Sequence, residues 1–461
     1  MDSFHGRTRE LALLNEQYSS NSGSFIPVYG RRRVGKTTLL RQFCSQRPTI
    51  FFVGKQAPQL LQRQEFLAQA ALVLDEPLLA KIPPPDWKTL LLEVRKRWRK
   101  SERLVIVLDE FQWTAAASPE LPSVLQDLWD AGWQADGKIM LILCGSYVGF
   151  MEREVLGSKS PLFGRRTAQI QLRPFGFREA QAFHEGISLV DATRAYFICG
   201  GVPAYHQAFR SELSIEQNIR RSILEEFAPL FREADFLLRE ELREVQNYHA
   251  LLQALAKGSL PANVLAERTS IAAGSISYYL SQLEGLGYVQ KRYPLTGRQA
   301  PARNVRYRLA DSLLSFWFRF VFPNLSYLSA MGPDETFRNR VEPHLPAYFG
   351  HCFEDLCREA LPLLYRSEGV TAAFEVGEYW SKQVQIDVVG HRADNVTDLG
   401  ECKWGPISSA AVTKELQSKV DKYPNARNAT IGHRIFARHP NTANLPRGVK
   451  WHCLEDLYGI G

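Results

Sequence analysis

The sequence predicts an α/β protein with a parallel, doubly wound sheet at the amino end, a helical middle and a second α/β domain at the carboxy end. Three observations predict it. A glycine-bounded basic loop, Gly30-Arg31-Arg32-Arg33-Val34-Gly35-Lys36-Thr37-Thr38, lies between the apolar run 25–29 and a stretch of helical spacing at 37–43. The continuous apolar run 104–108 ends in Asp109-Glu110. Near the carboxy end, two alternating segments carry Asp387 and the pair Glu401 and Lys403.

A strand, a tight glycine-rich turn and a helix start are the parts of a phosphate-binding loop. Backbone N–H groups between Gly30 and Gly35 and the start of the helix at Thr37-Thr38 would wrap nucleotide phosphates. Lys36 would reach the β/γ oxygens, and Thr37 would offer its hydroxyl to Mg²⁺. Such loops occur by chance in unrelated chains, but the flanking strand and helix argue for the functional reading. The run 104–108 reads as a strand buried on both faces. Asp109 at its tip would hold Mg²⁺, and Glu110 would polarise the attacking water. An acidic pair after a strand is also a common helix cap. The lysine loop upstream favours the metal and base roles, with ATP and Mg²⁺ as the expected cofactors.

Residues 1–175 alternate strand-like runs (25–29, 50–53, 104–108, 139–144 and 168–172) with amphipathic helices, the pattern of a nucleotide-binding core. Gly145-Ser146 closes the fourth run. Ser146 is placed to contact a γ-phosphate or its water, with a plain strand-end turn as the alternative. Arg165-Arg166 precedes the fifth run. Arg165 would act as a finger on a neighbouring subunit's nucleotide, which implies a homo-oligomer, with a solvated surface pair as the alternative.

Residues 176–242 lose strand character and read as a helical lid, in which Gly200-Gly201-Val202-Pro203 is a helix-ending turn. Residues 243–310 read as three short helices (248–257, 261–269, 274–286) and a hairpin, the order of a winged helix-turn-helix. Ser275 and Ser277 open the third helix with small polar groups suited to a major groove. Arg298, Arg303, Arg306 and Arg308 make the hairpin basic, an electrostatic footprint for DNA phosphates. Packing against the rest of the chain is the competing role. Residues 311–345 form a helical connector.

The domain 346–461 opens with an amphipathic helix carrying Glu354. Two strands and a turn at Asp394-Asn395 then place Asp387 near Glu401. Glu401 and Lys403 are two residues apart, so both point to one face of their strand. Carboxylates from Glu354, Asp387 and Glu401 would hold a metal that polarises a phosphodiester, and Lys403 would orient the nucleophile or steady developing charge. A salt-bridged pair of strands is the alternative.

Composition narrows the setting. With 45% hydrophobic and 23% charged residues the chain is of ordinary globular type, and its net charge of +7 leans towards an acidic partner such as DNA. Seven scattered cysteines without zinc spacing predict free thiols in a reducing, cytoplasmic setting. No signal-like start and no run of about 18 apolar residues occur, so no membrane association is expected.

At these motifs the chain resembles the archaeal-type ATPase family, a branch of AAA+-like P-loop proteins. The resemblance rests on Gly6-Arg7, the loop 30–38, Leu108-Asp109-Glu110-Phe111-Gln112-Trp113, Cys144-Gly145-Ser146, Leu162-Phe163-Gly164-Arg165 and Gly200-Gly201-Val202-Pro203. It implies Arg7 near the nucleotide, Ser146 as a sensor and Arg165 as a finger-like residue. The carboxy-terminal part is similar to the restriction-endonuclease-like domains with a PD-(D/E)XK signature, which implies roles for Asp387, Glu401 and Lys403 with Glu354 on the leading helix. Ile386 stands where that signature has proline. The expected function is an ATP-hydrolysing protein coupled to DNA binding and Mg²⁺-dependent DNA cleavage, in defence or mobile-DNA processing. The alternative is a nucleotide-switched regulator whose nuclease-like domain does not cut.

Overall fold

The computed structural model describes residues 4–296, 304–441 and 444–460, which fall into two compact units, 1–174 and 175–461.

The first unit is built on a five-stranded parallel sheet in the order β2-β3-β4-β1-β5. Its strands are β1 (Ser24–Tyr29), β2 (Thr49–Val53), β3 (Leu104–Asp109), β4 (Ile139–Gly145) and the short β5 (Ile170–Gln171). Every residue of β1, β3 and β4 is buried, which is why these segments read as unbroken apolar runs. Successive side chains serve opposite faces. Ile106 and Leu108 join Phe66 and Trp87 in one apolar cluster, while Val105 and Val107 join Leu39 and Phe43 in the other. β2 is at the edge, and its alternating burial follows from having one covered face.

The order of the strands positions the site. β4 lies between β1 and β3, with Tyr29 paired to Gly145 and Leu108 to Leu143. The loop after β1, the acidic pair after β3 and Ser146 after β4 therefore emerge side by side at one edge of the sheet, where open α/β folds place their ligands. β1 leaves the sheet beneath β5: Leu172 donates its N–H to the Tyr29 carbonyl at 2.7 Å. A Cβ on Gly30 would stand 2.2 Å from the Leu172 carbonyl oxygen, so only glycine can begin the loop here.

In the second unit, residues 177–241 are helical in short pieces, including Leu189–Cys199 and Glu233–Glu241. Three helices follow, Val245–Leu255, Ala262–Thr269 and Ala273–Gly285, and then the antiparallel pair β6 (Val289–Arg292) and β7 (Arg306–Leu309). A bridge from Leu260 to Tyr307 adds a third short rung to this pair. The long helix Leu345–Ser367 leads into β8 (Phe374–Trp380), β9 (Gln385–Arg392) and β10 (Val396–Lys403), which form an antiparallel meander. The helix Ser409–Val420 then crosses to β11 (Thr430–Ala437), which is parallel to β10, and β12 (Val449–His452) extends the sheet. The turn between β9 and β10 holds Asn395 at φ 62°, a left-handed conformation asparagine tolerates well. No helix among the described residues is long and apolar enough to cross a membrane.

Candidate functional site

The phosphate loop is shaped to receive an anion. Gly35 at φ 91° turns the chain into the helix Lys36–Cys44, whose first N–H groups have no intrahelical partner. Lys36 is buried, and its ammonium donates to the Gly30 and Arg31 carbonyls at 2.9 Å each. Burial lowers its pKa, against the raising influence of the Asp109 and Glu110 charges. Thr37 donates its hydroxyl to the Asp109 carboxylate at 2.7 Å, so the two expected magnesium-side groups already face each other. Thr38 is exposed on the same first turn.

Glu110 follows the tip of β3 at φ 49°, a left-handed conformation. One of its carboxylate oxygens accepts from the Ser146 hydroxyl at 2.7 Å and also from the Gln112 amide, which in turn donates to Ser146 at 3.2 Å. Ser146 and Gln112 thus fix the direction in which Glu110 points. Gln112 carried no role in the sequence reading; its signal was its place two residues after Glu110. Arg7, also buried, donates to the carbonyls of Val34 at 3.1 Å and Arg173 at 2.8 Å, bracing the loop from behind. Arg165 is gripped by Asp130 through two bonds of 2.9 and 2.7 Å and donates to the Pro161 carbonyl.

The second constellation lies on β9 and β10. Gly400 pairs with Val388, and extending that antiparallel register brings Glu401 level with Asp387. Asp387 is buried and accepts from the Cys402 N–H at 3.1 Å. Burial first, then the charges of Glu401 and Glu354, push its pKa up to about 7. Glu401 is 1% exposed and meets Lys403 at 2.9 Å and Lys419 at 2.6 Å. Glu415 accepts from Lys403 at 3.0 Å and forms an ion pair with Lys419 at 3.4 Å. Lys419 and Glu415 escaped the sequence reading; their signal was an i, i+4 acid–base pair on the helix after β10. Arg358, also buried, donates to the Asp387 carbonyl and ties the leading helix to β9.

The expected three-carboxylate metal set needs correction. Among the described residues no group of three His, Cys, Asp or Glu side chains is placed to hold a metal ion. Asp387 and Glu401 do come together, but both oxygens of Glu401 are taken by lysines. Glu354 accepts instead from His351 at 3.3 Å. Burial disfavours the Glu354 charge, yet the His351 hydrogen bond and the Arg358 charge hold its pKa below the usual range.

Asp387 also sets a pH dependence. Its proton is held more tightly in the folded chain than in the unfolded one, so its stabilising contribution is full below about pH 4 and is lost as pH rises towards 7. Asp387→Asn keeps the neutral form at every pH. In a melting series without metal, Asp387→Asn should match wild type below about pH 4 and exceed its Tm above pH 7; equal Tm values throughout would contradict the buried, acid-crowded placement.

Of the four arginines expected to meet DNA, Arg306 and Arg308 take up the competing role of packing within the chain. Arg308 is paired with Asp355 of the leading helix, and Arg292 meets the same carboxylate at 2.9 Å and Glu378 at 3.4 Å. Arg306 lies over the Trp380 ring at 4.8 Å. Arg306 and Arg308, two residues apart on β7, share a face, and that face packs on the carboxy-terminal domain rather than standing open to a duplex. Arg298 and Arg303 lie outside the described residues. Ser275 and Ser277 are exposed on the helix Ala273–Gly285, whose opposite face buries Ile276, Leu280 and Leu283.

The parallel sheet, the lysine loop and the acidic strand tip share the arrangement of P-loop ATPase domains. Residues 4–207 match the model of an ATPase domain found predominantly in Archaea, and residues 317–415 match one built on archaeal and bacterial proteins of unknown function. An uncharacterized protein of Methanocaldococcus jannaschii is 26% identical over 413 residues, covering 89% of this chain and 90% of its own length. An uncharacterized ATP-binding protein of the same organism is 45% identical over 40 residues, 9% of this chain and 68% of that protein. Among solved structures, the Walker-type ATPase of Pyrococcus abyssi superposes with a TM-score of 0.53 at 17% identity, over 68% of this chain and 96% of its own. That likeness extends to the fold.

Proposed function

We propose that the protein binds and hydrolyses ATP in its amino-terminal unit and uses this switch to govern cleavage of DNA at the Asp387–Glu401–Lys403 site. The nucleotide half is carried by one observation: Thr37 faces Asp109, while Ser146 holds Glu110 beside the buried Lys36.

The residues present fit Mg-ATP. The Lys36 ammonium spends two hydrogen bonds on loop carbonyls, positions at which phosphate oxygens compete as acceptors. When bound, Mg²⁺ would supply positive charge against that developing on the phosphates. Thr37 and Asp109 would hold it, and Lys36 would hold the phosphates. Glu110 would orient the attacking water, its direction set by Ser146 and Gln112. Glu110→Gln should therefore retain ATP affinity while slowing turnover by about 10²-fold or more, since its role belongs to the hydrolytic step. Turnover equal to wild type in a phosphate-release assay would remove Glu110 from the mechanism. For Arg165 to serve a neighbouring subunit's nucleotide it must leave Asp130, so Asp130→Asn should raise turnover at protein concentrations that favour self-association.

The nuclease half rests on Asp387 and Glu401 meeting across two strands with Lys403 and Lys419 against them. Mg²⁺ is held in many sites by one or two carboxylates plus substrate phosphates, so this pair suits it without Glu354. The three helices and the β6–β7 hairpin have the order of a winged helix, and Ser275 and Ser277 offer the DNA-facing side of its third helix. One observation favours the regulator reading: Glu401 is already neutralised by two lysines, as a salt-bridged structural site would be. A plasmid-nicking assay with Mg²⁺, with and without ATP, separates the two.

A further inference from the structure

A cavity of ≈260 Å³ in the second unit is lined by Lys257, Arg306, Arg308 and Arg319, with Glu354 and Glu378 as its acids. Glu378 is paired with Arg292 at 3.4 Å, and Glu354 accepts a hydrogen bond from His351 at 3.3 Å. Arg308 is matched by Asp355. The remaining three cations are not. Among the described residues Lys257, Arg306 and Arg319 form no ion pair with a carboxylate. Arg306 stacks on Trp380, and Arg319 leans over Tyr348 at 5.8 Å with a single long bond of 3.4 Å to the Ala256 carbonyl. Stacking on a ring face leaves the in-plane N–H groups of a guanidinium free to donate.

Three surplus cations gathered on one small cavity repel one another unless an anion joins them. The planar donor forks of two arginines match phosphate oxygens, and the lysine adds a point charge. The cavity also has a direction. Gln385 lines it and lies two residues before Asp387 on β9, so both side chains project from the same face of the strand. Glu354 lines it too, and its charge is felt by Asp387. Through Gln385 and Glu354 the cavity neighbours Asp387.

We propose that this cavity is an anion subsite that seats one phosphate of a nucleic-acid strand, holding the neighbouring phosphodiester towards Asp387 and Glu401. Its volume is slightly below the about 300 Å³ at which whole small-molecule sites begin, which suits a phosphate with its sugar. The inference deepens the nuclease reading and rests on it for the strand's direction, but binding itself needs no cleavage.

The test uses the full chain in EDTA and a fluorescent single-stranded oligonucleotide, read by anisotropy. Lys257→Gln, Arg306→Gln and Arg319→Gln should each weaken binding about tenfold, as expected for a lost charge-assisted contact. The triple variant should lose about 0.7 from the log–log salt slope, the share of one phosphate on a single strand. Thermal melting of each variant, set against the wild-type Tm, reports that it is folded; ATP turnover, which none of these residues serves, should be unchanged; and exposed Lys257 is the variant least able to disturb the fold. Millimolar inorganic phosphate or AMP should fail to displace the strand. Unchanged affinity and slope in the triple variant would overturn the subsite, as would a wild-type protein that does not bind the strand. Displacement by inorganic phosphate or AMP would overturn the strand in favour of a free phosphate ester. Binding that depends on these cations without any cleavage in Mg²⁺ would uphold the subsite and end the nuclease reading. Cleavage that survives unchanged in the triple variant would do the reverse.

Discussion

Lys36→Ala is expected to remove nucleotide binding and, with it, to cut ATP turnover by about 10²–10³-fold or more. Lys36 is the one cation buried inside the phosphate loop, and both loop carbonyls it now holds are 2.9 Å away. Taking it away leaves those carbonyls facing the incoming phosphates, which turns an attraction into a repulsion. Thr37→Ala is the companion variant. It leaves Lys36 in place and removes the hydroxyl that faces Asp109, so it should weaken ATP binding in Mg²⁺ much more than in EDTA. Titration with a fluorescent ATP analogue in both buffers, with Tm as a check on folding, distinguishes the two. If Lys36→Ala binds nucleotide as wild type does, the loop is not the nucleotide site.

How much of this could be read from the chain depended on whether the signal was local. β1, β3 and β4 were legible because strands covered on both faces must be apolar throughout, and each ended in a residue whose chemistry marks a strand tip. The three short helices and the paired strands β6 and β7 were legible from their spacing. What escaped depends on packing. Arg306 and Arg308 look like a free basic edge in sequence, since the acid that absorbs Arg308, Asp355, and the ring under Arg306, Trp380, come from segments far along the chain. The same applies to Lys419. Nothing near Glu401 in sequence announces a second lysine, which the crossover helix Ser409–Val420 delivers from the far side of the loop. Glu354 was expected with the other carboxylates because it is on the leading helix, but His351 one turn earlier on that helix takes it first. Gln112, by contrast, was in plain view beside Glu110, and only the fold of the strand tip gives it a purpose.

Asp387→Ala, Glu401→Ala and Lys403→Ala should each eliminate Mg²⁺- or Mn²⁺-dependent DNA cleavage and leave ATP hydrolysis largely intact. The two carboxylates are the only pair on β9 and β10 that meet across the strands, and a cation between them would relieve the crowding that pushes the Asp387 carboxyl up to about 7. Glu401→Ala also strands Lys403 and Lys419 near one another, so Glu401→Gln, which keeps the shape, is the better probe of charge. Lys403 bridges Glu401 and Glu415 at 2.9 Å each and projects from the same face as Glu401. Its loss should spare metal affinity, read by Mn²⁺ titration, and cost cleavage by about 10²-fold or more. Lys419→Ala tests which lysine matters: it frees one Glu401 oxygen, so metal affinity should rise while Lys403 remains to serve the reaction. Cys402→Ala should cut normally, because only its backbone N–H reaches Asp387. If wild-type protein, given ATP and either metal, leaves supercoiled, linear and single-stranded DNA intact, the lysines around Glu401 are a permanent salt bridge. The carboxy-terminal domain then serves a nucleotide-switched regulator rather than a nuclease.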